Sequence, residues 1–312
     1  MRPLVGLVVN PYAAHHRRHP SALVCYESII GNRGLLRQTR HPDTLPAIAR
    51  EFLDAGVELI AVAGGDGSVH AAVNAFLPVY DPTPIPPLLI IAAGTINNLS
   101  SEVGIRGKGL TILREMFLGA AGGFRLSQRM LMRINEGYGF LYGCGFPVRL
   151  LEGYYGARRQ SVGMALVHML RAIGCAAWGR GMAKDLFERA RARITLDGNS
   201  RKTDDFLFVL AATLSNVGLH FRPFHRAATS GNGFHLLASA SPLGSLLRRA
   251  HRLYLGKPLG LSGCVDAVAR EVLIEGEKPF RYMVDGELKG TAQCHRIQAD
   301  RAMSFLTGLG EA

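Results

Sequence analysis

Apolar residues in the first third of the chain come in short unbroken runs, separated by stretches where they recur every three or four positions. "LVGLVVN" (Leu4–Asn10), "VELIAVA" (Val57–Ala63) and "PLLIIAA" (Pro87–Ala93) are unbroken runs, and each predicts a strand covered on both faces. "DTLPAIAREFLDAG" (Asp43–Gly56), the segment from about Ser68 with Val69, Ala72, Val73 and Phe76, and "GLTILREMFLGA" (Gly109–Ala120) carry helical spacing. Strands separated by helices of this length predict βαβ units and a parallel sheet. "DPTPIPP" (Asp81–Pro87) is a loop, because its prolines exclude regular pairing.

The pattern changes after "GAAGGF" (Gly119–Phe124). "MLMRINEGYGFLYGCGF" reads as two strands around a Glu136-Gly137 turn, and "ARITLDGNSRKTDDFLFVLAATLS" as two more around Asp197-Gly198. "GFHLLASAS" and "EVLIEGEKPFRYMVDGE" continue in the same style. The expected architecture is α/β, with a Rossmann-like nucleotide-binding domain over 1–122 and a β-sandwich-like domain over 123–312. The final residues are free to pack back on the first domain. Two segments interrupt the β pattern. Residues 149–193 hold the helical stretch "VGMALVHMLRAIGCAAW" and the basic run "RGMAKDLFERARARI". Residues 241–259 carry Arg248, Arg249, Arg252 and Lys257 without an acidic residue. Each reads equally as an interfacial helix or as an ordinary amphipathic helix on a sheet.

Chemistry concentrates where strands end. In "AVAGGDGSVHAAVNAF" a buried strand runs through three glycines and an aspartate into a helix. Glycines there bare the backbone N–H groups, and with the helix dipole they make a phosphate site, with Ser68 as N-cap or phosphate ligand. Asp66 is out of place beside phosphates unless a magnesium ion or a hydroxyl donor lies between. "LLIIAAGTINNLSSEVG" repeats the strand, the glycine turn and the helix start, and Asn10 ends the first strand at the same edge. Such edges are where open α/β sheets bind ligands. Far along the chain, "FRYMVDGELKG" places Asp285 and Glu287 on one face if the strand stays extended, where a carboxylate pair could deprotonate a substrate hydroxyl. Asp-Gly is also a strong hairpin-turn signal, and taken by itself the stretch favours the turn.

Bulk properties narrow the partner. With 36 Lys and Arg against 24 Asp and Glu, the formal charge is +12, which calls for an anionic partner. Nucleic acid is ranked low, because no aromatic-basic platform or groove-reading motif accompanies the charge. The five cysteines include no Cys-x-x-Cys pair, so no metal-ligating set is assigned and a reduced, cytoplasmic setting is expected. The apolar core of "MRPLVGLVVNPYAA" is too short for a secretory signal and reads as the first strand.

Together, Asn10-Pro11, "GGDGS" (Gly64–Ser68), "GTINN" (Gly94–Asn98) and "VDGE" (Val284–Glu287) resemble, in order and spacing, the diacylglycerol kinase catalytic-domain family, which includes sphingosine and ceramide kinases and bacterial lipid kinases. "GGDG" alone is shared with NAD kinases. The resemblance implies ATP and Mg2+, a lipid hydroxyl as acceptor, and a phosphomonoester product. It implies that Gly64, Gly65, Asp66, Gly67, Ser68 and His70 hold ATP, with Asn10, Thr39, Gly94, Thr95 and Asn97 nearby. Glu287 matches the family's acid/base, with Asp285 as its neighbour. A peripheral position on anionic membrane is expected, with Arg248, Arg249 and Arg252 facing it and Arg158, Arg159 and Arg171 assisting. The apolar members of 149–178 would admit the acyl chain, and a sheet edge in the second domain could pair two copies.

The chain departs from the family in three places. His70-Ala71 replaces the usual Asn-Glu, Asn97-Asn98-Leu99 replaces Asn-Asp-Phe, and Asn232-Gly233 stands where many bacterial members carry a magnesium-linked Asp-Asp-Gly. These tilt the expected acceptor towards ceramide or a sphingoid base rather than diacylglycerol. They also keep open a soluble NAD kinase and a non-catalytic lipid- or nucleotide-binding relic of the fold.

Overall fold

A computed structural model describes residues 3–95, 97–105, 108–118, 124–155, 185–217 and 221–309. Expectations for Arg158, Arg159, Arg171 and most of the 149–178 stretch lie outside the described residues. The chain divides into two units, one of Met1–Arg129 with Ala302–Ala312, the other of Met130–Arg301.

The first unit runs β1 (Val5–Val9), α1 (Ala14–Arg18), α2 (Ser21–Ile30), β2 (Gly34–Gln38), α3 (Leu45–Asp54), β3 (Leu59–Gly64), α4 (Asp66–Tyr80), β4 (Leu88–Ala92), α5 (Asn98–Glu102) and α6 (Gly109–Leu118). The strands form a parallel sheet in the order β2-β1-β3-β4, and Phe305 from the C-terminal strand pairs in parallel with Leu88. Every residue of β1 and β3 is buried, as unbroken apolar runs require when helices cover both faces. On one face Leu7, Ala61 and Leu89 pack with Ile30 of α2 and Leu113 of α6. Phe52 of α3 and Phe76 of α4 meet edge-on with ring centroids 5.9 Å apart, and both are fully buried. Each such ring stabilises the fold by about 1.5–3 kcal/mol. The half-exposed edge strand "GLLRQ" has too few apolar residues to announce itself in the sequence.

The second unit continues with β5 (Phe124–Ile134), β6 (Gly137–Gly139), β7 (Leu141–Gly145), α7 (Phe146–Tyr155), β8 (Ala190–Leu196), β9 (Asn199–Ser200), β10 (Asp204–Phe206), β11 (Phe208–Ala212), β12 (Phe234–Ser239), α8 (Leu243–Tyr254), β13 (Cys264–Ala269), β14 (Glu271–Val284) and β15 (Glu287–Leu309). The units divide at Arg129, inside β5, which begins at Phe124. Its first residues stay with the first unit, where Thr307 donates to the Arg125 carbonyl at 3.2 Å and Arg129 to that of Glu102 at 2.8 Å. Within the second unit the pairing is antiparallel, in the order β13-β12-β11-β7-β14-β15, with β8 also paired to β14.

Two local expectations change. The β5–β6 turn sits on Asn135, at φ 51°, rather than on Glu136-Gly137. The basic run ending "RARARI" is strand from Ala190, with Ala192, Ile194 and Leu196 turned to the core and Arg191 and Arg193 to solvent. Period 2 wins there over the helical reading.

Candidate active site

Four chain reversals at the carboxyl ends of β2, β1, β3 and β4 build the first unit's site. The Asn10 amide donates to the Ala63 carbonyl and the Thr39 amide to that of Val9, both at 2.9 Å. The connections leave in opposite directions on either side of β1 and β3, which opens a crevice there. Asn10 Nδ2 donates to Ser68 Oγ at 2.9 Å, tying the first strand's end to α4. A cavity of about 180 Å³ opens at this point, and its lining includes Asn10, Tyr12, Thr39, Arg40, Gly67 and Ser68. The sequence thus brings Asn10, Thr39, Gly67 and Ser68 to one place. Ser68 is not the N-cap, however; that position is Gly65, and Ser68 lies inside the first turn.

The glycines serve approach rather than turning. Gly64, Gly65, Gly67 and Gly94 all lie outside the positive-φ region, with Gly65 at −91°. A Cβ on Gly94 would stand 2.5 Å from the Gly65 Cα, and one on Gly65 would stand 3.1 Å from the Gly94 Cα. The two turns therefore touch main chain to main chain, as their registered parents β3 and β4 demand. The turn leads directly into the amino end of α4, the positive end of the helix dipole.

Asp66 has a structural answer. Its Oδ2 accepts from the Asn98 amide at 2.8 Å and its Oδ1 from the Leu99 amide at 3.1 Å. The carboxylate therefore clamps the first glycine turn to the start of α5, and two N–H donors temper its charge beside an anion. Asn97, in the left-handed region at φ 52°, shapes the second turn by accepting from the Gly94 amide at 2.8 Å and donating to its carbonyl at 3.0 Å. Thr95 is exposed. His70 is buried in the second turn of α4, with its carbonyl accepting from Asn74 Nδ2 at 2.9 Å, so it belongs to the packed side of the helix rather than to its open end.

Sequence reasoning missed a cationic group beside these turns. The His15 amide donates to the Ala93 carbonyl at 2.9 Å, which draws α1 onto the end of β4. The rings of His15 and His19 lie 4.7 Å apart. Burial, then the neighbouring His19, His16, Lys108 and Arg18, hold the His15 imidazole below its ordinary pKa. The signal was the run "HHRRH" directly after Asn10-Pro11-Tyr12 and two alanines.

In the second unit the two acidic residues part company. Asp285 (φ 51°) and Gly286 (φ 82°) form the two-residue turn between β14 and β15, with Val284 opposite Glu287. The strand ends at Val284, so the expected shared face does not form. Asp285 Oδ1 accepts from the Phe140 and Leu141 amides, both at 2.8 Å, and its own amide donates to the Leu141 carbonyl at 2.9 Å. Asp285 is thus a brace. Glu287 is half-buried, and among the described residues its carboxylate makes no hydrogen bond or ion pair.

The arginines of α8 are also more constrained than expected. Arg249 donates to the Leu259 and Gly260 carbonyls and Arg252 to that of Pro258, while exposed Arg248 reaches Ser245 Oγ at 3.2 Å. Tyr254 and Leu255 are exposed at the end of the same helix.

Solved structures agree with this architecture. Three solved structures from Bacillus anthracis str. Sterne, titled as diacylglycerol kinases, match with TM-scores of 0.69, 0.65 and 0.69 at 17%, 17% and 19% identity. Each alignment covers 98% of this chain and 97% of the other. No curated protein matches the chain. The diacylglycerol kinase catalytic domain profile matches residues 5–128, the stretch that contains both interlocked glycine turns.

Proposed function

We propose that the protein is an ATP-dependent lipid kinase that phosphorylates the hydroxyl of a lipid alcohol. The observation that carries the reading is the contrast at the hairpin, where Asp285 is committed to two amides and Glu287 keeps an unengaged carboxylate. In the proposed reaction Glu287 takes the hydroxyl proton while the acceptor oxygen bonds to the γ-phosphorus. The bond from that phosphorus to the β–γ bridging oxygen breaks, and ADP leaves. Asn10, Ser68 and the amides at Asp66 and Gly67 would hold the nucleotide, with the cations near His15 balancing its charge. Mg2+ would arrive on the nucleotide phosphates and neutralise charge as it develops.

An amphiphilic acceptor suits the second unit. A cavity of about 530 Å³ there is lined by Phe280, by Arg189, and by Arg149, Arg191 and Arg281 in ion pairs with Glu188, Glu277 and Glu152. Behind it lie tightly packed apolar side chains that include Phe206, Phe208 and Ile274. A charged mouth over an apolar wall fits a polar head on an acyl chain. Among the described residues no helix is long and apolar enough to cross a membrane, which is consistent with action at a surface. Arg248, with Tyr254 and Leu255, is the part of α8 we assign to that surface.

The test is labelled ATP with a panel of diacylglycerol, ceramide, sphingosine and NAD, resolved by chromatography. A labelled lipid phosphomonoester is the expected product. Labelled NADP would replace this reading with a soluble NAD kinase, and ATP binding without any product would replace it with a binding relic of the fold.

A further inference from the structure

Behind the Asn232-Gly233 loop, where the hard-cation carboxylates expected from the resemblance are missing, the second unit assembles a different donor set. His235 on β12 and Asp266 on β13 are diagonal neighbours across an antiparallel pair, since Leu237 opposes Asp266 and His235 opposes Val268. His225 comes from the preceding loop. His235 Nε2 lies 3.0 Å from Asp266 Oδ1, and His225 Nε2 lies 3.7 Å from the same oxygen. One ligand atom from each of the three falls within 4.8 Å of the others.

We propose that His225, His235 and Asp266 form a binding site for a divalent transition-metal ion of the zinc class. Zinc bonds of ~2.0–2.1 Å in tetrahedral geometry space neighbouring ligand atoms by about 3.4 Å, which lies between the two separations above. Two imidazoles and one carboxylate suit zinc and its neighbours better than magnesium, which takes oxygen ligands and keeps its waters. The His235 ring is fully buried, with its Nδ1 unpartnered among the described residues, as are His225 Nδ1 and Asp266 Oδ2. Both rings are therefore oriented through the edge that faces Asp266, where the ion would sit. The side chains of His225 and Asp266 stay 17% and 18% exposed, which leaves a path for a water in the fourth position. Arg226 Nε stands 3.4 Å from Asp266 Oδ1 and competes for this carboxylate, but its side chain is 49% exposed and can swing away.

The test uses metal-free full-length protein titrated with Zn2+ against a chromophoric chelator, and with Co2+ read by its visible d–d bands. The exposed His15/His19 pair is removed first by His15→Ala/His19→Ala, so that one equivalent and a tetrahedral Co2+ spectrum in that background report on the buried set. His225→Ala should weaken Zn2+ binding by roughly 100-fold and abolish the bands. Arg226→Gln should tighten binding several-fold by removing the competing cation. Parent affinity and spectrum in both His225→Ala and Asp266→Asn would overturn the proposal, as would loss of the bands in the His15/His19 background. If Asp266→Asn does not fold by circular dichroism, His225→Ala alone decides, because its loop position leaves the sheet intact.

Discussion

Two turns, one in each unit, use the same residue types for different ends. At Gly64–Ser68 and at Asp285-Gly286 an aspartate accepts from two successive backbone amides of a distant segment, Asn98 and Leu99 in one case and Phe140 and Leu141 in the other. The glycines beside them differ. Gly65 of the first turn, with Gly94, is needed because two backbones touch, and Gly286 because the chain turns at φ 82°. A carboxylate beside glycines is therefore no direct sign of catalysis. The group we propose for the chemistry is Glu287, one residue outside the braced turn.

The largest effect expected follows from that distinction. Glu287→Gln should lower turnover with the accepted lipid by about 10³-fold, within the range for losing a general base, and leave the unfolding midpoint and ATP binding unchanged. Asp285→Asn keeps an acceptor oxygen for Phe140 and Leu141, so its activity should fall far less. Equal losses in the two variants, measured with labelled ATP, would erase the division of labour between brace and base.

The two clamps can then be compared directly. Asp66→Ala leaves the amides of Asn98 and Leu99 without their acceptor, and Asp285→Ala does the same to Phe140 and Leu141. At about 1–3 kcal/mol for each orphaned amide, either change should cost roughly 4 kcal/mol in urea unfolding. Asp66→Ala should also weaken nucleotide binding, because α5 and the second glycine turn lose their anchor. A variant that kept both stability and binding would return Asp66 to the chemical role the sequence suggested for it.

Much of this was legible in advance, for reasons that also explain what was not. The parallel sheet could be read because β1, β3 and β4 are buried on both faces and so show unbroken apolar runs. Edge strand β2, half exposed, carries no such signal. Thr39 followed only from the family resemblance, whereas Asn10 and Ser68 could be placed together because strand ends share an edge of the sheet. The partners of Asp66 and Asp285 could not, since each is a backbone amide, and an amide leaves no mark on residue identity. The His225, His235 and Asp266 group was hidden differently, because strand register rather than sequence spacing unites it.

Acid should separate the two units. His16, buried in the first unit, has both ring nitrogens engaged, with the Asn10 carbonyl at 2.6 Å and the Tyr26 hydroxyl at 2.9 Å. His295, fully buried in the second against Phe280, Tyr142 and Tyr282, has only Nε2 engaged among the described residues, at 2.9 Å from the Ala292 carbonyl. Burial pushes the His295 imidazole down to about 4 from 6.5. The unfolded chain thus binds the extra proton first, so stability holds above pH 6.5 and is lost as pH falls from 6.5 towards 4. The loss attributable to this group reaches about 3 kcal/mol. His295→Phe should flatten that part of the stability profile, and a parallel profile in parent and variant would show that His295 is not responsible.

The smallest effects test what each glycine is for. Gly94→Ala drives a methyl into the Gly65 backbone and should cost about 2 kcal/mol, because neither main chain can retreat without moving its strand. Gly286→Ala meets nothing within 4 Å and pays only for its positive φ, about 1 kcal/mol. Asparagine separates the two causes, since it tolerates the left-handed region but is bulkier than alanine. Gly286→Asn should recover most of the lost stability, while Gly94→Asn should be at least as damaging as Gly94→Ala. Denaturant midpoints for the four variants give the answer. If asparagine rescued position 94, the contact between the two turns would not be what requires glycine there, and the reading of the first site as two interlocked backbones would fail.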